Sequence, residues 1–145
     1  MANAVQAGSV GSLHIGGAAQ ENHLRESYRA AHATFLAIAK AASDITWRVV
    51  GSNRRQVETL TALCSSLDGL VSDFDLFAPA EVRAAFHWAR FAAQLILTDA
   101  HLTLGVVGSL PGLSLAIDNH GNVKRVAAMN KATAGFVEAV RTSVR

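Results

Sequence analysis

The amino-acid sequence predicts a mainly α fold: an antiparallel four-helix bundle with a short β-hairpin before the last helix. Three observations carry that prediction. Apolar residues recur at alternating spacings of four and three through long segments, the seam of a helix packed lengthwise on others. Alanine, the strongest helix former, accounts for 27 of 145 residues, and there are only 2 prolines. Turn chemistry separates the segments at short intervals, so consecutive helices lie antiparallel side by side.

The first helix is expected over about Ala18 to Val50, on the seam Leu24, Tyr28, Ala31, Phe35, Ile38, Ala42, Ile45 and Val49. Gly51-Ser52-Asn53 is turn chemistry, and Asn53 with Gln56 three residues on makes a variant capping box that opens the second helix. Its seam is Val57, Leu60, Cys64, Leu67, Val71 and Phe74. Gly69 inside that pattern costs about 1 kcal/mol against alanine, which places the end between Leu67 and Phe77. Pro79 suits a first helical position and Glu81 complements the positive end of the dipole, so the third helix runs from about Pro79 to Leu104. It carries two seams, Val82, Phe86, Ala89, Ala93, Ile96 and Ala100, and Ala84, Trp88, Phe91, Leu95 and Leu102, which predict a central helix with neighbours on both flanks. Leu113 to Ile117 and Val123 to Val126 flank a turn at Gly121 and read as the hairpin. Met129, Thr133, Phe136, Val137, Val140 and Val144 form the last seam, with Arg141 and Arg145 near the negative end of the dipole.

With 50% apolar and 17% charged residues and a mean hydropathy of +0.24, the chain is too apolar for global disorder. A lone Cys64 excludes an intrachain disulfide and any multi-cysteine zinc or iron-sulfur module, and points to a reducing compartment such as the cytoplasm. The opening Met1 to Gln20 is free of charge, but it has no basic start and contains four glycines, which argues against a secretory signal. A second uncharged run, Leu102 to Ile117, is broken by Gly105, Gly108, Pro111 and Gly112 and falls short of the ~20 residues of a spanning helix. The organisation expected is an uncharged glycine- and alanine-rich arm over residues 1–20 and a helical bundle domain over 21–145.

Motifs for chemistry are missing. No Glu-x-x-His or His-Glu-x-x-His occurs, Asp118 to Gly121 fails the calcium-loop pattern, and the phosphate-loop and nucleophile-elbow signatures are absent, so neither metal nor cofactor is expected. Cys64, on a seam, reads as a small buried hydrophobe. The best polar constellation is the stripe Arg83, His87, Arg90, Gln94, Thr98 and His101 on the third helix, either its solvated edge or a row facing an anion, a phosphate or a neighbouring subunit's carboxylate. Acidic Asp68, Asp73, Asp75 and Glu81 gather near one end of the second helix and basic Arg48, Arg54 and Arg55 near the other, a polarity suited to head-to-tail stacking.

The uncharged segments are the most informative feature. Val10, Leu13 and Ile15 in the first, and Val106, Val107, Leu110 and Leu113 in the second, would be an association liability in water. The function expected is therefore a non-enzymatic, self-associating helical subunit, a homo-oligomer of filament or shell type. In architecture alone, without a shared motif, long helices ending in glycine loops resemble the subunits of rod-forming virions. The alternative is a nucleic-acid-binding subunit using Arg54, Arg55, Arg83, His87, Arg90, Lys124 and Arg125 on phosphates, although a net charge of +2 is too weak to imply this alone. A third reading is a small enzyme or a binder of an apolar ligand inside the bundle.

Overall fold

The computed structural model describes the backbone of residues 2–45, 54–109 and 118–144, and the side chains of residues 17–45, 54–101 and 121–144. Four helices account for nearly all of it: α1 (Ala2–Ser43), α2 (Arg54–Phe77), α3 (Ala80–Ser109) and α4 (Asp118–Ser143). The inner seams are buried as the 4-3 spacing requires. Tyr28, Ala31, Phe35, Ile38, Ala42 and Ile45 enter the core from α1, and Val57, Leu60, Cys64, Leu67 and Phe74 from α2. Val82, Phe86, Ala89, Ala93, Ile96 and Ala100 enter from α3, and Met129, Thr133 and Phe136 from α4.

Cross-helix bonds fix the directions. Ser27 of α1 meets Asp73 of α2, Arg90 of α3 meets Asp68 of α2, Arg125 of α4 meets Asp99 of α3, and Asn122 of α4 meets the Ala42 carbonyl of α1. The α4 bonds set early residues against late ones of α3 and α1, and His87–Asp75 and Arg90–Asp68 run in opposite order along α3 and α2. Asp73 near the end of α2 meets Ser27 well before the end of α1, so all four neighbouring pairs run antiparallel. α1 and α3 face each other across the diagonal, where Phe35 and Phe86 touch with ring centroids 5.9 Å apart.

The core is uneven along its length. Tyr28, Phe35, Phe74, Phe86 and Phe136 gather at the end that holds the α2–α3 turn, with Phe74 and Phe86 stacked at 3.9 Å and Phe136 edge-on to Phe35 at 5.3 Å. The opposite half is filled by Ile38, Ala42, Ile45, Leu60, Ile96, Ala100 and Met129.

Four expectations are corrected. The hairpin's second strand is not a strand: Val123 to Val126 lie in α4, no strand occurs among the described residues, and Leu113 to Ile117 lie outside them. The reason is that the 4-3 seam of α4 continues upstream through Val126 to Asn122, whose amide donates to the Ala42 carbonyl at 3.0 Å and satisfies the end of α1. α1 begins at Ala2 rather than Ala18, because no proline interrupts it and extending a helix already nucleated costs far less than starting one. α3 extends to Ser109, past Gly105 and Gly108, because isolated glycines cost a helix about 1 kcal/mol each without breaking it. Nor is α3 central. In a four-cornered bundle each helix turns one face inward, so the second seam faces outward, with Ala84, Trp88 and Phe91 exposed.

At the α2–α3 turn, the Pro79 carbonyl accepts the Arg83 amide at 2.9 Å and so opens α3. The expected Asn53 cap lies outside the described residues. Among the described residues, no helix is long and apolar enough to cross a membrane.

Candidate functional site

Antiparallel topology sorts the candidate cations into two groups. Arg54 and Arg55 open α2 and Lys124 and Arg125 lie in the second turn of α4, so these four share one end of the bundle. Arg83, His87 and Arg90 lie toward the other end, about 20–30 Å away by helix rise. The seven do not form one patch.

Most of them are bonded within the chain. His87 Nε2 lies 2.6 Å from Asp75 Oδ1, and Arg90 donates from Nη2 and Nε to Asp68 Oδ1 at 2.7 and 3.1 Å. Arg83 Nη1 donates to the Asp75 carbonyl at 3.3 Å. At the other end Arg125 pairs with Asp99 at 2.7 Å and Arg54 with Glu58 at 3.3 Å. Arg55 and Lys124 are exposed, with no ion pair among the described residues. The polar stripe of α3 thus has an answer that the sequence reading did not weigh, the acidic face of its own neighbour α2. The signal was present, since Asp68 and Asp75 share one face of α2 at two helical turns' spacing, but only the antiparallel register tells which cations meet them.

Asp73 collects a second set that sequence reasoning missed. His23 Nε2 lies 3.0 Å from Asp73 Oδ2. The Ser27 hydroxyl donates to the same oxygen at 2.8 Å, with the His23 carbonyl 3.1 Å away. Serine, histidine and aspartate are the residue types of a nucleophilic triad, but the connectivity differs. Both donors converge on the carboxylate, whereas a nucleophile needs its proton taken by the imidazole. Ser27 is also only 3% exposed. The cluster pins α1 to α2.

Cys64 is equally unsuited to attack. Burial pushes its thiol up to about 11, with Asp68 adding to the rise and Arg90 opposing it, and its Sγ points at the Ala93 carbonyl at 3.9 Å. No group of three or more histidine, cysteine, aspartate or glutamate side chains gathers as a metal site would require among the described residues.

The grooves are shallow and lie between helices. One of about 430 Å³ runs between α1 and α4 beside His32, Leu36, Asn130 and Glu138. Another of about 400 Å³ sits at the aromatic end, lined by Leu24, Tyr28, Phe77, Pro79 and Val144. The second shows where the bundle ends: α2, α3 and α4 all meet α1 at Glu21 to Tyr28. Ala18, Ala19 and Gln20 are exposed, and the first nineteen residues of α1 lie beyond that level.

Of the residues expected to drive association, Val10, Leu13 and Ile15 belong to this overhanging part of α1, and Val106 and Val107 to the last turns of α3. Their side chains, together with Leu110 and Leu113 entirely, lie outside the described residues. No protein-family model matches the chain, and no curated protein or solved structure is significantly similar to it.

Proposed function

We propose that this chain is a non-enzymatic, self-associating helical subunit, a building element of a filament or shell. The observation that carries the reading is the overhang of α1. Residues 2–20 continue the helix beyond the level at which its three neighbours end, without a single charged side chain and with four glycines. Continuing a nucleated helix costs little, but a stretch of this composition stays marginal in water without packing, since each glycine costs about 1 kcal/mol against alanine and packing supplies most helical stability. It holds when another apolar surface lies against it, and within the chain the neighbours stop short. Two further features agree with this reading. Among the described residues the inner seams fill the bundle and the grooves described above are open to the surface, and the acid–base groups nearest to a catalytic arrangement are bonded to one another.

The test is solution mass by light scattering on the full chain and on a truncation beginning at Glu21. The full chain is expected to exceed one subunit at micromolar concentration. The truncation, which keeps every core residue from Leu24 onward, is expected to stay helical and to lose mass. A full chain that remains at one subunit, 15.3 kDa, across concentrations overturns the proposal.

A further inference from the structure

The outward face of α3 is a strip of exposed Ala84, Trp88 and Phe91 and half-buried Leu95, about 16 Å long by helix rise. Trp88 is 67% and Phe91 54% exposed, and their rings lie 6.2 Å apart. Adjacent large aromatics on a rigid helix have the composition of an interface centre. Both long edges of the strip are closed by ion pairs internal to the chain, His87–Asp75 and Arg90–Asp68 on the α2 side and Arg125–Asp99 on the α4 side. Among the described residues along these edges, His87, Arg90 and Arg125 are held by carboxylates, while Arg83 rests on a backbone carbonyl and Glu81 is exposed beside Ala84 without an ion pair. What the strip accepts is another charge-free apolar strip of its own length.

The spacing says which one. Ala84, Trp88, Phe91 and Leu95 are separated by four, three and four residues, a pattern that reads the same in both directions. In an antiparallel pair about a two-fold axis between Trp88 and Phe91, each Trp88 meets Phe91 of the other copy. Each Ala84 meets Leu95 of the other copy. Ring packs on ring and small on large, which is the self-match that a two-fold contact requires. The two rings expose on the order of 250 Å² per copy, roughly a third of the ~800 Å² per partner of a stable interface, and Ala85, Ala92 and Thr98 alongside extend the area.

We propose that the Ala84–Trp88–Phe91–Leu95 face of α3 is a two-fold contact with a second copy of this chain, packed antiparallel. This rests on the self-association proposed above and names one surface that performs it. The experiment has two arms, both on the full chain. Trp88→Glu with Phe91→Glu, at exposed positions and checked for an unchanged helical signal, is expected to lower the mass by light scattering. Ala84→Cys with Leu95→Cys is expected to give a disulfide-linked dimer on mild oxidation, and Leu95→Cys alone is not. An associated parent whose mass the glutamate variant leaves unchanged overturns the contact and leaves the self-association reading standing. A parent of one subunit overturns both. A lowered mass without the Ala84–Leu95 link means that the overhanging part of another copy's α1 occupies the strip, and it overturns the two-fold pairing.

Discussion

Cys64 and Tyr28 hold protons more tightly in the fold than in the unfolded chain, both because burial disfavours the charged form; Ser143 partly offsets the effect at Tyr28. The sign follows directly. For Cys64 the unfolded thiol ionises near 9 and the folded one at about 11, so its contribution to stability is complete below pH 9 and is lost as pH rises toward 11. Stability between pH 7 and 10.5 is expected to fall more steeply for the parent than for Cys64→Ala, by on the order of 2 kcal/mol at pH 10.5. Equal slopes would mean that the thiol ionises in the fold as readily as in water. At this scale the sequence was readable where a residue answers to its own helix. Every buried position of the first α3 seam follows from spacing alone, but Asp73 as the meeting point of His23 and Ser27 does not, because 46 residues separate the serine from it.

Among the elements, α2 is the one whose sequence most resists its structure. Gly69 lies in the middle of a helix that runs without a break from Arg54 to Phe77, and an added Cβ there meets nothing within 4 Å. Gly69→Ala is therefore expected to stabilise the fold by about 0.5–1 kcal/mol, read as a thermal midpoint higher by about 2–4 °C; no gain would mean that the glycine relieves a contact in the assembled state. The start of α4 was misread for a related reason. Asn122 and Thr133 occupy seam positions with polar side chains, so apolar periodicity alone shows only part of the helix, and Gly121 then looks like a turn. Both polar groups are satisfied by helix carbonyls, Ala42 for Asn122 and Met129 for Thr133. A hydrogen bond across 80 residues leaves no local trace in composition.

Over the whole molecule, the fold class and the identity of the core were legible because four helices with short links admit few arrangements. The direction in which α3 turns its second seam was not. Two apolar faces on one helix are compatible with a central position or with a corner position and an outer partner, and only packing decides. Charge was likewise read as end-to-end polarity, whereas Asp68, Asp73 and Asp75 are each engaged by α1 or α3 of the same chain. The candidate site was legible in its residues and illegible in its partners. A subunit with a two-fold strip on α3 and a separate overhang on α1 would grow by addition, whereas one two-fold surface alone closes at a dimer.

The crowding of five aromatic rings at one end of the bundle has a consequence for how the native state opens. Cooperative local opening begins where the fewest apolar contacts must be broken. Rings bury more surface apiece than the aliphatic side chains and the alanines Ala42 and Ala100 that fill the other end. Amide hydrogens should therefore exchange along a gradient running the same way through all four helices. Protection is expected to be greatest around Phe35, Phe74, Phe86 and Phe136, and to fall toward Ala42 in α1, Val57 in α2, Ala100 in α3 and Val126 in α4. Mass spectrometry of exchanged peptides from the full chain measures it directly. Uniform protection along each helix would show instead that the bundle opens only as a whole. A gradient would mean that the fold loosens from its aliphatic end, one helix tip at a time, while the aromatic end stays closed.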